Sequence, residues 1–252
     1  MLCLFRPIII SVMLAGGMFA AGRAFAAEIQ VLSAGAMEPG LEVAVRQFRS
    51  ASSQAVRITY ATAPRIRERL EDGESPDLLI ATQTILEGLA TEKRLAVEPV
   101  LLGRVGVGIA VRGNAAAPEI ENADALRRAV LQARSLVFNR ASTGLYLERM
   151  FEQMGLSAII TPKARRYPTG ADVMEHLLRG SGQELGFGAI PEIRMVRELR
   201  YVGPLPVALQ NYTTYGAALL PDGPAAAAVL LRWLSGPEAR RAFEDAGIEP
   251  PR

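Results

Sequence analysis

The chain has 252 residues, half of them apolar, 21% charged and 6% aromatic. That is ordinary globular composition and excludes a disordered, collagenous or coiled-coil chain. The net charge of +2 gives no basis for a nucleic-acid surface, and one Cys with one His can build neither a disulfide framework nor a zinc site.

Residues 1–26 read as a secretory signal peptide: Arg6 on the positive flank, an apolar run over 7–21, and a small-x-small pattern at Ala24-Phe25-Ala26. The run is too short and too Gly-rich for a comfortable membrane span. Removing it takes away Arg6, Arg23 and Cys3, which leaves 26 basic and 26 acidic residues and no cysteine. A neutral, cysteine-free exported protein suits an oxidising compartment, here the periplasm. No later run approaches 18 apolar residues without a charge, so the remainder reads as soluble.

After residue 27 the sequence alternates strand-like and helix-like segments. Strands are predicted at 28–33, 56–61 and 77–81, and helices at 37–52, 64–72 and 83–92. This order implies a parallel sheet covered on both faces. Residues 100–112 (VLLGRVGVGIAVR) break the rhythm with a long, β-branched strand carrying three glycines, which suits a segment that bends between two lobes. The pattern restarts with helices at 122–133, 145–154 and 171–178 and strands at 135–139, 165–167, 184–190 and 200–202. A second long apolar strand at 215–220 and helices at 225–234 and 237–246 complete the chain. The expected plan is α/β with two lobes, each a sheet flanked by helices, joined by two crossing strands. Lobe 1 is 27–108 plus 213–252 and lobe 2 is 109–212. Such proteins close around a small molecule in the cleft.

Four strand-to-helix turns carry the candidate site: Ser33-Ala34-Gly35-Ala36-Met37, Thr62-Ala63-Pro64-Arg65, Ser142-Thr143-Gly144 and Thr169-Gly170-Ala171. Ligands of open α/β sheets bind at the carboxyl ends of strands. Helix starts there expose unpaired N–H groups and a positive dipole end, which suits an anion. Ser and Thr at these places also serve as ordinary helix caps. Arg65 in a first turn is unfavourable against the dipole unless it meets an anion, and Arg140 lies two residues before Ser142. Glu38 argues the other way, since a first-turn carboxylate repels an anion unless it points out of the cleft. The expected ligand residues are therefore Gly35, Ala36, Met37, Ala63, Arg65, Arg140, Ser142, Thr143, Gly170 and Ala171, with Arg65 the main charge partner and Thr143 a hydroxyl donor.

Catalytic and metal readings are weak. His176 sits in VMEHLLRG, mid-helix, and no G-x-S-x-G, Walker or G-x-G-x-x-G motif occurs. Asp72, Glu74 and Asp77 cluster at a turn where solvation explains them. Tyr212 and Tyr215, three apart in a strand, face opposite sides and make no iron site. No catalytic residue, metal or cofactor is expected.

Four blocks carry a resemblance: EIQVLSAGAMEPGLEVAVRQF, ITYATAPRIRERLEDGESPDLLIATQ, FNRASTGLYLERMFEQMGL and LLRWLSGPEARRAFEDAGIEP. Together they resemble periplasmic molybdate-binding proteins. The resemblance implies a type II periplasmic binding fold and delivery of a captured ligand to an ABC importer, with a membrane permease and an ATPase as partners. It implies a monomer without catalysis. That family holds its oxyanion with two serines and a tyrosine. The matching positions here are Ala36, Ala63 or Pro64, and the neighbourhood of Ala189, so three side-chain donors are missing. The ligand is left as a molybdate- or tungstate-type oxyanion on family grounds, or a small organic carboxylate on residue grounds. The alternatives are a secreted α/β hydrolase using His176 and a sensor-linked binding protein.

Overall fold

A computed structural model describes residues 28–251. The expected signal peptide at 1–26 lies outside the described residues. In chain order the strands are β1 (Ile29–Ala34), β2 (Val56–Ala61), β3 (Leu78–Thr82), β4 (Val100–Arg112), β5 (Ser135–Asn139), β6 (Ala164–Tyr167), β7 (Glu184–Ala189), β8 (Leu199–Pro204) and β9 (Tyr212–Leu219). The helices are α1 (Glu38–Ser52), α2 (Ala63–Glu71), α3 (Gln83–Thr91), α4 (Ala123–Gln132), α5 (Ser142–Gln153), α6 (Ser157–Ile160), α7 (Gly170–Arg179), α8 (Ile190–Met195), α9 (Ala225–Leu234) and α10 (Pro237–Ala246).

The strand order is β2-β1-β3-β9-β4-β7-β5-β6, with β8 also on β4. The unit β2-β1-β3 is parallel, as the alternation of segments predicts. The whole sheet is mixed, because β9 runs antiparallel to both β3 and β4. The long strand β4 is the shared spine. Its first half, Val100–Gly106, pairs with β9, and its second half pairs with β7 and β8. The expected bend is therefore a change of partners along one strand, helped by a register irregularity between Leu101 and Gly103.

Burial follows the same division. One core cluster draws on residues from Ile29 to Val105 and from Tyr215 to Ile248, with Ala189. Two others lie within residues 107–205. In the second group Phe151 packs edge-on against Phe187 at 5.8 Å and tilted against Phe138 at 6.5 Å, a pairing worth about 0.5–1.5 kcal/mol beyond burial alone. The α/β class, with sheets flanked by helices, is as expected. The short helices α6 and α8 are not in the sequence-based reading, and α5 begins three residues before its expected start. Among the described residues no helix is long and apolar enough to cross a membrane.

Candidate ligand-binding site

The four turns singled out in the sequence meet. A cavity of about 160 Å³ is lined by Gly35 and Ala36, by Thr62 and Ala63, by Ser142, and by Thr169, Gly170 and Ala171. This is smaller than the ~300–1,000 Å³ of drug-sized pockets, so its occupant is a small solute. Each turn follows a parallel strand in one of the two halves of the sheet, and the cavity lies where the carboxyl ends of β1, β2, β5 and β6 face one another.

Local chemistry decides which N–H groups are free. The 3₁₀ turn Gly35–Met37 and the starts of α2 and α5 have no side-chain cap bond. At α5 the loop is held by Asn139, fully inside the fold, whose Oδ1 accepts from the N–H of Ala141 at 3.0 Å and of Gly144 at 3.1 Å. At α7 Thr169 is an ordinary helix cap: its hydroxyl donates to Asp172 and accepts from the Asp172 N–H in a capping box. Gly144 is demanded by close approach, since a Cβ there would sit 1.7 Å from the Asn139 carbonyl oxygen.

Six of the ten expected residues line the cavity: Gly35, Ala36, Ala63, Ser142, Gly170 and Ala171. The other four do not. Arg65 is 60% exposed and pairs with Glu68 at 2.9 Å, one turn along the outer face of α2, so the expected guanidinium clamp is not built. Arg140 is exposed, because its neighbour Asn139 takes the inward place, and its N–H donates to the Tyr167 carbonyl. Met37 is buried in the core, and Thr143 is not among the lining residues. No Arg, Lys or His is among them either.

In place of the cations stand two tyrosines and two carboxyls, none of them among the ten expected ligand residues. Tyr215 is 5% exposed, and its hydroxyl is in hydrogen-bonding contact with Ser142 and Thr213. Burial pushes its phenol above the ordinary tyrosine range. The contact with Ser142 joins β9 to α5 across the cavity. Tyr60 lines the wall and donates to Glu42 at 2.8 Å, and burial followed by that bond pushes its own hydroxyl up as well. Glu38, which argues against an anion unless it points out of the cleft, lines the cavity, and its burial raises its carboxyl above the usual range.

The deepest carboxyl is that of Glu192, at the third position of α8. It lines the cavity and is only partly exposed, and burial pushes it up to about 7, against the opposing effect of the Ala189 N–H that donates to it. A Cβ on Gly170 would lie 2.1 Å from one of its oxygens, and one on Gly35 would lie 3.7 Å from the other. Glycine at 170 is therefore where the Glu192 carboxyl comes in, not where the backbone alone must meet a ligand. Pro191 in the first turn with Glu192 beside it is a legible helix-start signal, which marks the start of α8 but not the direction of the Glu192 side chain.

His176, the candidate base of a hydrolase, bonds Tyr167 at 2.6 Å and Glu184 at 3.1 Å and lies away from this cavity. Among the described residues no serine is bonded to it: the nearby Ser135 donates to Glu184 at 2.7 Å. Among the described residues no group of three or more His, Cys, Asp or Glu could hold a metal ion.

Comparison with known proteins gives the family. Residues 29–249 match the model of the bacterial extracellular solute-binding proteins. The chain is 31% identical over 235 residues to a protein from a Pseudomonas species named aconitate isomerase, covering 88% of this chain and 87% of that one. Among solved structures, the periplasmic molybdate-binding protein of Azotobacter vinelandii is similar with a TM-score of 0.74 at 16% identity, covering 89% of this chain and 100% of that one. The sulfate-binding protein of Mycobacterium tuberculosis is similar at 0.68 and 16%, covering 88% and 86%. At these identities the structures show the fold alone, the two-lobed type II periplasmic-binding fold. The resemblance to molybdate-binding proteins thus holds at the level of the fold and the wider family.

Proposed function

The chain belongs to the bacterial extracellular solute-binding proteins, and from that premise we propose that it binds a small organic carboxylate in the cavity between lobe 1 (27–108 plus 213–252) and lobe 2 (109–212). It is exported to the periplasm by the signal peptide at 1–26, works as a monomer, and passes its ligand to the permease and ATPase of an ABC importer. The observation that carries this is the meeting of four helix-start turns at one cavity without a cationic side chain. Free N–H groups and dipole ends favour an anion there, each typically by about 0.3–1 kcal/mol. The hydroxyls of Ser142, Tyr215 and Thr62 add neutral donors.

Carbon in the ligand is supported by the rest of the lining. Ala34, Ala36, Ala61, Ala63, Ala141 and Ala171 form apolar wall, which a carbon skeleton can cover and an inorganic oxyanion cannot. The relative from Pseudomonas named above acts, by its name, on aconitate, a tricarboxylate. Arg65 has no part in this reading, and neither does a molybdate-specific set of side chains.

A thermal-shift panel tests the proposal: trans-aconitate, cis-aconitate and citrate against molybdate, tungstate, sulfate and phosphate. A ligand at 100 times its Kd adds about 2.7 kcal/mol, which moves Tm by roughly 5–10 °C for a chain of this size. A shift with the carboxylates is expected. A shift with molybdate and tungstate alone would refute the carboxylate and restore the oxyanion.

One observation favours a second reading. The relative's name is that of an isomerase, and Glu192 is a carboxyl that titrates near neutrality inside the cavity. Moving a proton between two carbons of an unsaturated carboxylate needs such a group and no metal. Interconversion of cis- and trans-aconitate by the purified chain, followed by chromatography, separates turnover from binding. Transport and a sensor-linked role share the same site.

A further inference from the structure

Two carboxyl groups line a cavity whose other features favour an anion, and no cation offsets them. Glu38 and Glu192 come from different helices, α1 and α8, that pack on each other. Glu38 also lines a surface groove with Glu42, its neighbour one turn along α1, and the cations of that groove, Arg46 and Arg194, stand outside the cavity. The carboxyls therefore form a row from the cavity to the surface. Glu192 stands at its inner end, seated against Gly170 and near Gly35.

An ionised Glu192 would face a bound carboxylate as like charge in a site withdrawn from water. A protonated one presents an O–H to it, a charge-assisted hydrogen bond of the stronger kind. Carboxylic acids kept neutral in apolar sites act as donors in this way. We infer that the cavity takes its anion together with one proton, which Glu192 holds and presents to the ligand, and that Glu38 sets the pH at which this happens. The inference rests on the carboxylate reading above and deepens it. The proton comes from solvent, and the only bond formed is the O–H of Glu192.

The charged surroundings of Glu192 are consistent with this. From α1 comes Glu38, whose charge raises the Glu192 carboxyl further, with Glu42 and Arg46 beside it in the groove, and from β2 comes Tyr60, whose hydroxyl donates to Glu42. From β9 comes Tyr215, a neutral phenol. From α7 comes Asp172, whose carboxylate is engaged by Thr169. On α8 itself Arg194 reaches instead towards Gly247, and it faces Tyr201 of β8. From α10, Asp245 lies in the groove with Arg194 and Glu38. Near α8, strand β4 offers Gly106 and Gly108, packed on Ile190, and β7 offers Ala189.

Calorimetric titration with trans-aconitate, in two buffers of different ionisation enthalpy, counts the protons taken up per ligand bound. Uptake close to one at pH 8, falling towards zero at pH 6, is expected for the unaltered chain. Affinity should weaken by up to about tenfold per pH unit above neutrality. Glu192→Gln should take up no proton and bind with an affinity that no longer depends on pH. Glu38→Gln should keep the uptake and move its midpoint to lower pH. No uptake by the unaltered chain, or equal uptake by Glu192→Gln, would overturn the inference. An unmoved midpoint in Glu38→Gln would overturn the part given to Glu38. Binding of trans-aconitate at neither pH would overturn the carboxylate reading itself, and the coupling with it.

Discussion

Replacing Glu192 by Gln should make the protein more stable at pH 8, by up to about 3 kcal/mol, and leave it unchanged near pH 4. The carboxyl stands at about 7 in the folded chain against an ordinary 4.5, and each pK unit is worth about 1.4 kcal/mol. The sign follows from proton counting. Between pH 4.5 and 7 the folded state holds a proton that the unfolded state has released, so stability falls as pH rises through that window and stays low above it. Gln carries no charge to bury and can still accept from the Ala189 N–H, so the variant escapes the penalty. Urea unfolding of both proteins at pH 4.5 and pH 8 measures it, as does a Tm difference of roughly 6–12 °C at pH 8. A difference that is the same at both pH values would mean that the Glu192 carboxyl titrates alike in the folded and unfolded chains and carries no burial penalty. A gain in stability from altering a buried group is also the signature expected where function holds a fold away from its optimum.

The second large effect lies across the cavity. Gly144→Ala should cost at least about 2 kcal/mol and weaken ligand binding, because its Cβ would lie 1.7 Å from the carbonyl oxygen of Asn139. The obstacle is backbone, so it cannot swing aside as a side chain would. Relief requires α5 to move from β5, which breaks the bonds from the Ala141 and Gly144 N–H groups to Asn139. A buried Asn that loses both donors costs more than the bonds themselves were worth. The same movement displaces Ser142 from Tyr215. Denaturant midpoints, with the trans-aconitate titration, check both parts. Gly88→Ala is a fair control, since a Cβ there meets nothing within 4 Å. If Gly144→Ala were no more costly than that control, the account of the α5 turn would be wrong.

Much of this site was legible from residue order. Small and hydroxyl residues after β-rich runs marked four helix starts, and six of the ten named residues line one cavity, because helix starts at the carboxyl ends of strands are set by local sequence. The two tyrosines of β9 were read correctly as facing opposite sides. Tyr215 enters the cavity, and Tyr212 lies under Arg104 at 4.1 Å and bonds Glu249. What could not be read were directions that depend on tertiary packing. Arg65 is a first-turn cation in sequence, but the rotation of α2 puts it outside and gives it Glu68 as partner. The direction of Glu38, the residue that argued against an anion, was open in the sequence, and the fold turns it into the cavity. Glu192 reaches it only because α8 packs on α1 and α7, contacts no local pattern encodes. Asn139 looked like the end of a strand, and its capping role needed the fold of the loop after it.

The central claim is that a carboxylate sits among neutral donors in this cavity and not on an arginine at its edge. Titrating trans-aconitate into the unaltered chain, Ala36→Leu and Arg65→Ala tests that claim most directly. Ala36→Leu places a larger side chain in the cavity wall, and it should weaken binding by at least about tenfold, or 1.4 kcal/mol. Arg65→Ala should leave binding unchanged, because that side chain points to solvent. The reverse pattern, with binding lost in Arg65→Ala and kept in Ala36→Leu, would contradict the account and put the ligand on α2 outside the cavity.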